Sequence, residues 1–423
     1  MHTWAKRGLQ TALVTGGLFM LGTGIASAQD NVHPDAKPVG IDGLVNTPQA
    51  GTAPAPLADV PIQAKNNTAN TPLGDVDLPN DGGRVQVLNG TPDQVNGATQ
   101  SLAGTKTVAE VGVPLQAVNN QVGVLAPATA SGDAGQDYAA PTPVTSDGTG
   151  QTLQGNVIRS QNLVPLQAAN NAVAVGNDAA TSGTVTQAAT GGGDIDTSGK
   201  NGTIAGTIAD QRSAIPVGAG GTALAVGGTS TSSSCTSQAV TDNGKDTTDG
   251  TDGRLAGTVA NVPTALPAIV NTNAASVLGQ ATSAHTSGGR VTAPNGSDAT
   301  AVATGDSFAR APGSVLSGTI VSSPVAAPTG AYGTGLTSGG SAIAQHAGDV
   351  TALAGGSTYG DGSNSTGSGT TVATPVATVV ELVCTAVTAP GNATTGCAED
   401  RTVTAGFYNG SLGNDGTLAG NVV

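Results

Sequence analysis

Cys384 and Cys397 lie thirteen residues apart, and Cys235 stands alone in a Thr-Ser-Ser-Ser-Cys run. In an exported chain a pair at that spacing can close a small loop worth roughly 2–4 kcal/mol, or remain two thiols. Cys235 is then either a single thiol or a link to another molecule. Asp194, Asp196 and Ser198 place oxygens at positions 1, 3 and 5 of a calcium-type loop, with Gly199 at position 6. Position 12 is Ala205, where such a loop needs a bidentate Glu. Asp246, Asp249 and Asp252 are acidic without ligand spacing, so both groups read as turn formers and solubilisers. His2, His33, His285 and His346 stand far apart, as do Glu110, Glu381 and Glu399. There is no His-Glu-x-x-His and no nucleophile elbow in a βα setting. Gly218-Ala219-Gly220-Gly221 lacks the Lys-Ser/Thr pair and the helix that make a phosphate loop. These residues predict no enzyme, no cofactor and no bound metal.

With so little reactive chemistry, the burden falls on what the backbone builds. The first 28 residues are distinct. Lys6-Arg7 is a positive segment, Leu9 to Ile25 is mostly apolar, and Ala26-Ser27-Ala28 is a small-residue cleavage site before Gln29. That pattern is a signal peptide cut between Ala28 and Gln29, and it predicts a secreted, cell-wall or extracellular chain. No later segment has an apolar run long enough to span a bilayer, so no membrane span is expected after cleavage. The full chain has 14 basic and 28 acidic residues. Losing Lys6 and Arg7 leaves 12 against 28, a net charge of −16. Such a balance argues against nucleic acid and against anionic lipid as partners.

Gly (64) and Pro (23) make up about a fifth of the residues, and only Phe308, Phe407 and four Tyr supply aromatics beyond the signal segment. Large apolar side chains contribute about 1.5–3 kcal/mol each when buried. Their scarcity predicts marginal, repetitive or assembly-dependent structure rather than a dense core. Residues 29–48 read as a flexible leader, broken by His33-Pro34-Asp35 and Lys37-Pro38.

After the leader the sequence repeats. Turn glycines recur at Gly51, Gly104, Gly155, Gly206, Gly257, Gly318, Gly369 and Gly420, with spacings of 53, 51, 51, 51, 61, 51 and 51 residues. Five of them have Leu or Ile two residues earlier and Pro ten later, at Pro114, Pro165, Pro216, Pro267 and Pro328. The units so defined are 49–101, 102–152, 153–203, 204–254, 255–315, 316–366 and 367–417, with 418–423 opening an eighth. The longer unit carries its extra length around Ser283 to Ala311. Within each unit, alternation such as Ala172-Val173-Ala174-Val175 predicts a strand with two different faces. Asn119-Asn120 and Asn170-Asn171 are tight-turn residues in front of such strands. The second half of each unit, as in Asp242 to Gly253 and Gly355 to Gly369, is rich in Gly, Ser, Thr and Asp and reads as flexible spacer. The expected fold is mainly β and irregular: short β-strand repeats of about 51 residues on flexible spacers, with little helix outside the signal peptide.

The run Leu153-x-Gly155-Asn156-Val157-Ile158, with Pro165 ten after the glycine and Asn171-x-Val173-x-Val175-Gly176, resembles the chaplin domain. Pro263 and Pro267 together resemble the Val-Pro pair of that family's strand. Chaplins are secreted, surface-active proteins of filamentous actinobacteria that assemble into β fibrils at air–water interfaces and on cell walls. The resemblance covers the first 25 or so residues of each unit. It departs at the family's first cysteine, whose matching positions are Lys65, Val118, Ala169, Gly220 and Asn271. The resemblance implies a structural surface protein that self-associates to coat the cell wall or an interface, with wall polymers or an air–water boundary as partners. Val122, Val124, Val173 and Val175, with turns at Asn119, Asn120, Asn170 and Asn171, are the expected self-association residues. A monomeric adhesin or stalk with repeats folded as a β-solenoid, and a disordered Thr/Ser-rich spacer, are the alternatives.

Overall fold

A computed structural model describes residues 52–78, 81–88, 95–96, 105–141, 143–285 and 299–422. The signal segment, its cut between Ala28 and Gln29 and the leader 29–48 lie outside the described residues. The described chain is all β, with strands stacked in parallel in the manner of a solenoid.

One turn of chain, here called a coil, shows how the sequence builds it. Val157–Leu163 and Leu166–Ala169 lie in a first sheet, separated by Val164-Pro165, which cannot donate to the ladder at the proline. Asn170 then takes a positive φ of 54° and turns the chain into Ala172–Val175 in a second sheet. Asp178–Gly192 returns as a fifteen-residue strand of a third sheet, and Ile195–Ser198 enters a fourth. The next coil repeats this pattern one period on: Val157 pairs with Ile208, Ala172 with Ala223, Asp178 with Thr229 and Ile195 with Asp246.

The spacers expected to be flexible are therefore strands, and this corrects the sequence reading. The third-sheet strands Asp178–Gly192, Thr229–Asn243 and Ser341–Ala354 are the longest of their coils. Asp242 and Asn243 end one such strand, and Asp246–Asp249 and Thr358–Asp361 belong to the fourth sheet. Some of the inward small polar residues of these strands find acceptors across the interior. Ser230 Oγ donates to Ala172 O at 2.8 Å and Ser232 Oγ to Asn170 O at 2.7 Å. Such satisfied groups avoid the desolvation penalty that makes buried hydroxyls costly.

The long coil keeps its neighbours in register. Ser234 pairs with His285 at a spacing of 51, whereas Gln238 pairs with Ala299 at 61, so the register shifts by ten residues between these two pairs. Identical residues stacked at this spacing form amide ladders. Gln167 Nε2 donates to Gln116 Oε1 at 2.8 Å and Gln116 Nε2 to Gln63 Oε1 at 2.7 Å. A second ladder runs Gln238, Gln187, Gln136, at 2.8 and 2.7 Å. The recurring glycine has a steric cause. Gly155 has φ 67°, and a Cβ there would sit 2.3 Å from Gly148 N. At the N-terminal side the stack meets antiparallel strands: Asp81–Leu88 pairs with Thr52–Lys65, and Gly74–Leu78 with Asn67–Thr71.

Candidate functional surface

The alternation in Ala172-Val173-Ala174-Val175 is realised with the small residues inside. Ala172 and Ala174 are 0% exposed and pack with Ala179, while Val173 and Val175 point outward. The same inversion holds at Ala223 and Ala225 against Leu224 and Val226, and at Ala274 against Val277. Alanine fills the narrow interior, and the larger aliphatic groups face the outside. Val122 and Val124 stand in the same outer rows, with Val122 opposite Val173 and Val124 opposite Val175.

Around the corner, the outer rows of the first sheet continue this surface. Leu115, Leu166 and Val217 stand in one row, and Ala117, Ala168, Ala219 and Val270 in the next. Residues 113–125, 164–176, 215–227, 266–278 and 327–339 contain no charged side chain. The earlier strands of the first sheet do carry charge, as Lys106, Glu110, Arg159, Asp210 and Arg212, and every one of these is buried. Their outward neighbours are uncharged, as at Ile158, Val262 and Val321.

Two corners add apolar ridges. Leu125 and Leu278 sit at φ 55° and are 63% and 75% exposed. Ile204, Leu255 and Leu316, with φ of 52°, 50° and 53°, line the corner that enters the first sheet and are also exposed. A left-handed backbone costs a non-glycine residue roughly 1–2 kcal/mol, and most of all a β-branched one such as Ile204. These side chains are thus held in a costly conformation without being buried.

The opposite side is polar. Asp133, Asp137, Asp178, Asp194, Asp196, Lys200, Lys245, Asp306 and Arg310 are exposed on the third and fourth sheets and their connections. Lys200 Nζ lies 3.0 Å from Asp249 Oδ2, and Lys245 Nζ stands 4.4 Å from the centroid of the Phe308 ring. Hydrogen bonds from Thr251, and Lys200 beside it, outweigh partial burial and hold the Asp249 carboxyl below its usual range. An open groove of roughly 290 Å³ on the third sheet is lined by Thr129, Ser131, Ser182, Thr231 and Ser233, among others.

The turn asparagines are brought together as ladders. Asn119 and Asn170 are buried at φ 54°; Asn119 Nδ2 donates to Asn170 Oδ1 at 2.9 Å and to Gly132 O at 2.7 Å. Asn170 Nδ2 donates to Gly183 O at 3.1 Å. Asn120 Oδ1 accepts from Asn171 Nδ2 at 2.7 Å. Gly221, Thr272, Gly333 and Cys384 take the same left-handed place in later coils. Cys384 is disulfide-bonded to Cys397, with 6.0 Å between their Cα atoms. The pair spans thirteen residues, like Asn119 to Gly132 and Asn170 to Gly183, so the disulfide closes the corner that an asparagine closes elsewhere. Cys235 is half-buried on the third sheet opposite Thr184.

The calcium-type residues diverge. Asp194 Oδ1 accepts from Lys245 N at 2.8 Å and Ile195 points inward, while Asp246 is buried away from Asp249. Among the described residues no group of three or more His, Cys, Asp or Glu is placed to hold a metal ion.

Two features lie beyond the sequence reading. One is the exposure of Ile204, Leu255, Leu316 and Leu418, each two before a turn glycine, which in the sequence are only markers of the period. The other is a buried charge cluster. Arg159 donates to both Asp210 oxygens at 2.8 Å, and Arg212 reaches Asp210 and Asp246, each at 2.6 Å. The signal that could have found it is that Arg159 and Asp210 stand one period apart, at matching places of successive units. Compared with known proteins, the chain matches no family model, no curated protein and no solved structure.

Proposed function

We propose that this chain is an exported structural protein that lays the charge-free face of its first and second sheets against a hydrophobic boundary. Neighbouring copies then pack side by side to coat that boundary, in the way the chaplin resemblance implies. The observation that carries this reading is the inverted packing of the second sheet, with Ala172, Ala174, Ala223, Ala225 and Ala274 inside and Val173, Val175, Leu224, Val226 and Val277 outside, within a run of five charge-free segments. A monomeric soluble protein gains nothing from exposing such rows, and large contiguous apolar patches mark interaction sites. The polar, net acidic third and fourth sheets would keep the other side hydrated. Lys6-Arg7 and the Ala26-Ser27-Ala28 site support export, and the Cys384–Cys397 disulfide fits an oxidising compartment.

The test is surface pressure at an air–water boundary, measured with mature protein and with the variant Leu166→Lys/Val173→Lys/Leu224→Lys. The reading expects the mature protein to raise surface pressure and the variant to lose most of that effect while keeping its circular dichroism. A mature protein with no surface activity would remove the proposal. Thioflavin T is a poorer discriminator, because stacked parallel strands are present within a single copy.

The second reading is a monomeric wall-borne stalk or adhesin. It is favoured by strand pairing that is completed within one chain, coil upon coil. The same surface-pressure experiment separates the two, since a stalk stays in solution and leaves the boundary unchanged.

A further inference from the structure

The charge cluster inside the solenoid has no part in the outer face. Arg159, Asp210, Arg212, Asp242 and Asp246 are each at most 3% exposed. They come from four elements: Val157–Leu163 and Ile208–Ala214 in the first sheet, Thr229–Asn243 in the third and Asp246–Asp249 in the fourth. Arg159 forks onto Asp210 and also donates to Gly193 O at 2.8 Å. Arg212 bridges Asp210 and Asp246 and donates to Gly244 O at 2.6 Å. Asp242 faces this group with neither carboxylate oxygen hydrogen-bonded.

We propose that these five side chains form a proton-dependent lock, which holds its coils most firmly while the Asp242–Asp246 pair keeps a proton and loosens them when that proton leaves. Two guanidiniums face three carboxyls, so the cluster is neutral only with one carboxyl protonated. A net charge in so dry a place is expensive, and a group there sheds it by binding a proton. Asp210 is excluded as the carrier: burial alone would raise it, but the hydrogen bonds and charge of Arg159, with Arg212, hold it below its usual range. The proton falls to the other two. Burial first, with Asp210 and Glu110 second, pushes Asp242 up to about 7; burial and the neighbouring Asp210 push Asp246 up to about 8.

Glu110, one coil away, accepts from Gln161 Nε2 at 2.7 Å and adds to the negative side, and buried Lys106 shares its strand. In the following coil the matching places are Asn261 and Ser307, whose side chains bond each other at 3.2 Å.

The sign follows. Both carboxyls bind protons more tightly folded than unfolded, so stability is fully present below the unfolded value near 4 and falls as pH rises through about 7 to 8. The experiment is thermal unfolding of the full chain followed by circular dichroism at pH values from about 6 to about 9, a window chosen to bracket both groups. The lock predicts that the midpoint falls across that window in the parent protein and changes far less in Asp242→Asn. A parent midpoint that is flat or rises with pH overturns it, as does an Asp242→Asn slope equal to the parent's. The variant leaves every other titratable side chain in place, so the difference in slope isolates the lock. Infrared spectroscopy of the parent decides the matter even where Asp242→Asn does not fold. A buried protonated-carboxyl band must be present at about pH 6 and lost by about pH 9. Its absence at the lower pH overturns the lock.

Discussion

The two halves of each coil treat charge in opposite ways. In the half that builds the first and second sheets, charged groups such as Arg159, Asp210 and Arg212 are turned inward, and Ile158, Leu224 and Val277 are turned out. In the half that builds the third and fourth sheets, exposed Asp133, Asp178, Asp194 and Asp196 carry the charge outward. Composition alone would spread a few charges over every surface. Here a buried network is tolerated at a desolvation cost on one side, while its described outward neighbours, such as Ile158, Gln211 and Val262, carry no charge. The outer apolar rows are therefore a property of position, not a by-product of a poor core.

Substitutions on either side of the same strands can break this contrast. Arg212→Ala should have the largest effect, about 3–5 kcal/mol of stability read by chemical unfolding, because Asp210 and Asp246 lose a buried partner. Ala174→Leu should cost about 1–3 kcal/mol by overpacking the interior. Val173→Leu, its outward neighbour, should stay within about 0.5 kcal/mol in the same assay. Equal costs would mean that the two faces are not distinct. The finest contrast is Val173→Lys against Asp196→Lys. Both should leave the unfolding free energy within about 0.5 kcal/mol of the parent's, and only the first should lower surface pressure.

Much of the architecture was legible in the sequence, because a solenoid writes its period directly. Gly155 and its counterparts marked the turns for a steric reason, and the Asn pairs marked the second corner. The third sheet was not legible. Asp178–Gly192 contains Gly183, Gly191 and Gly192, a type depleted in strands, among several small polar Thr and Ser. They hold a strand only because the coils on both sides supply the ladder, as Asp137 and Ala239 do for Ala188. The direction of the valines was equally hidden. Alternation at Ala172–Val175 announces two faces, but it does not say that alanine takes the inside; that depends on the third sheet lying close behind. The buried cluster was hidden in a different way, since Arg159 and Asp242 belong to different units and meet only when successive coils are wound together.

The corner at residues 384–397 bears on how cysteines are counted in chains of this kind. A covalent bond and a buried asparagine span the same thirteen residues and hold the same left-handed bend. The place is a socket that accepts either kind of clasp, so a unit that has exchanged cysteine for asparagine keeps its geometry and gives up only its dependence on oxidation.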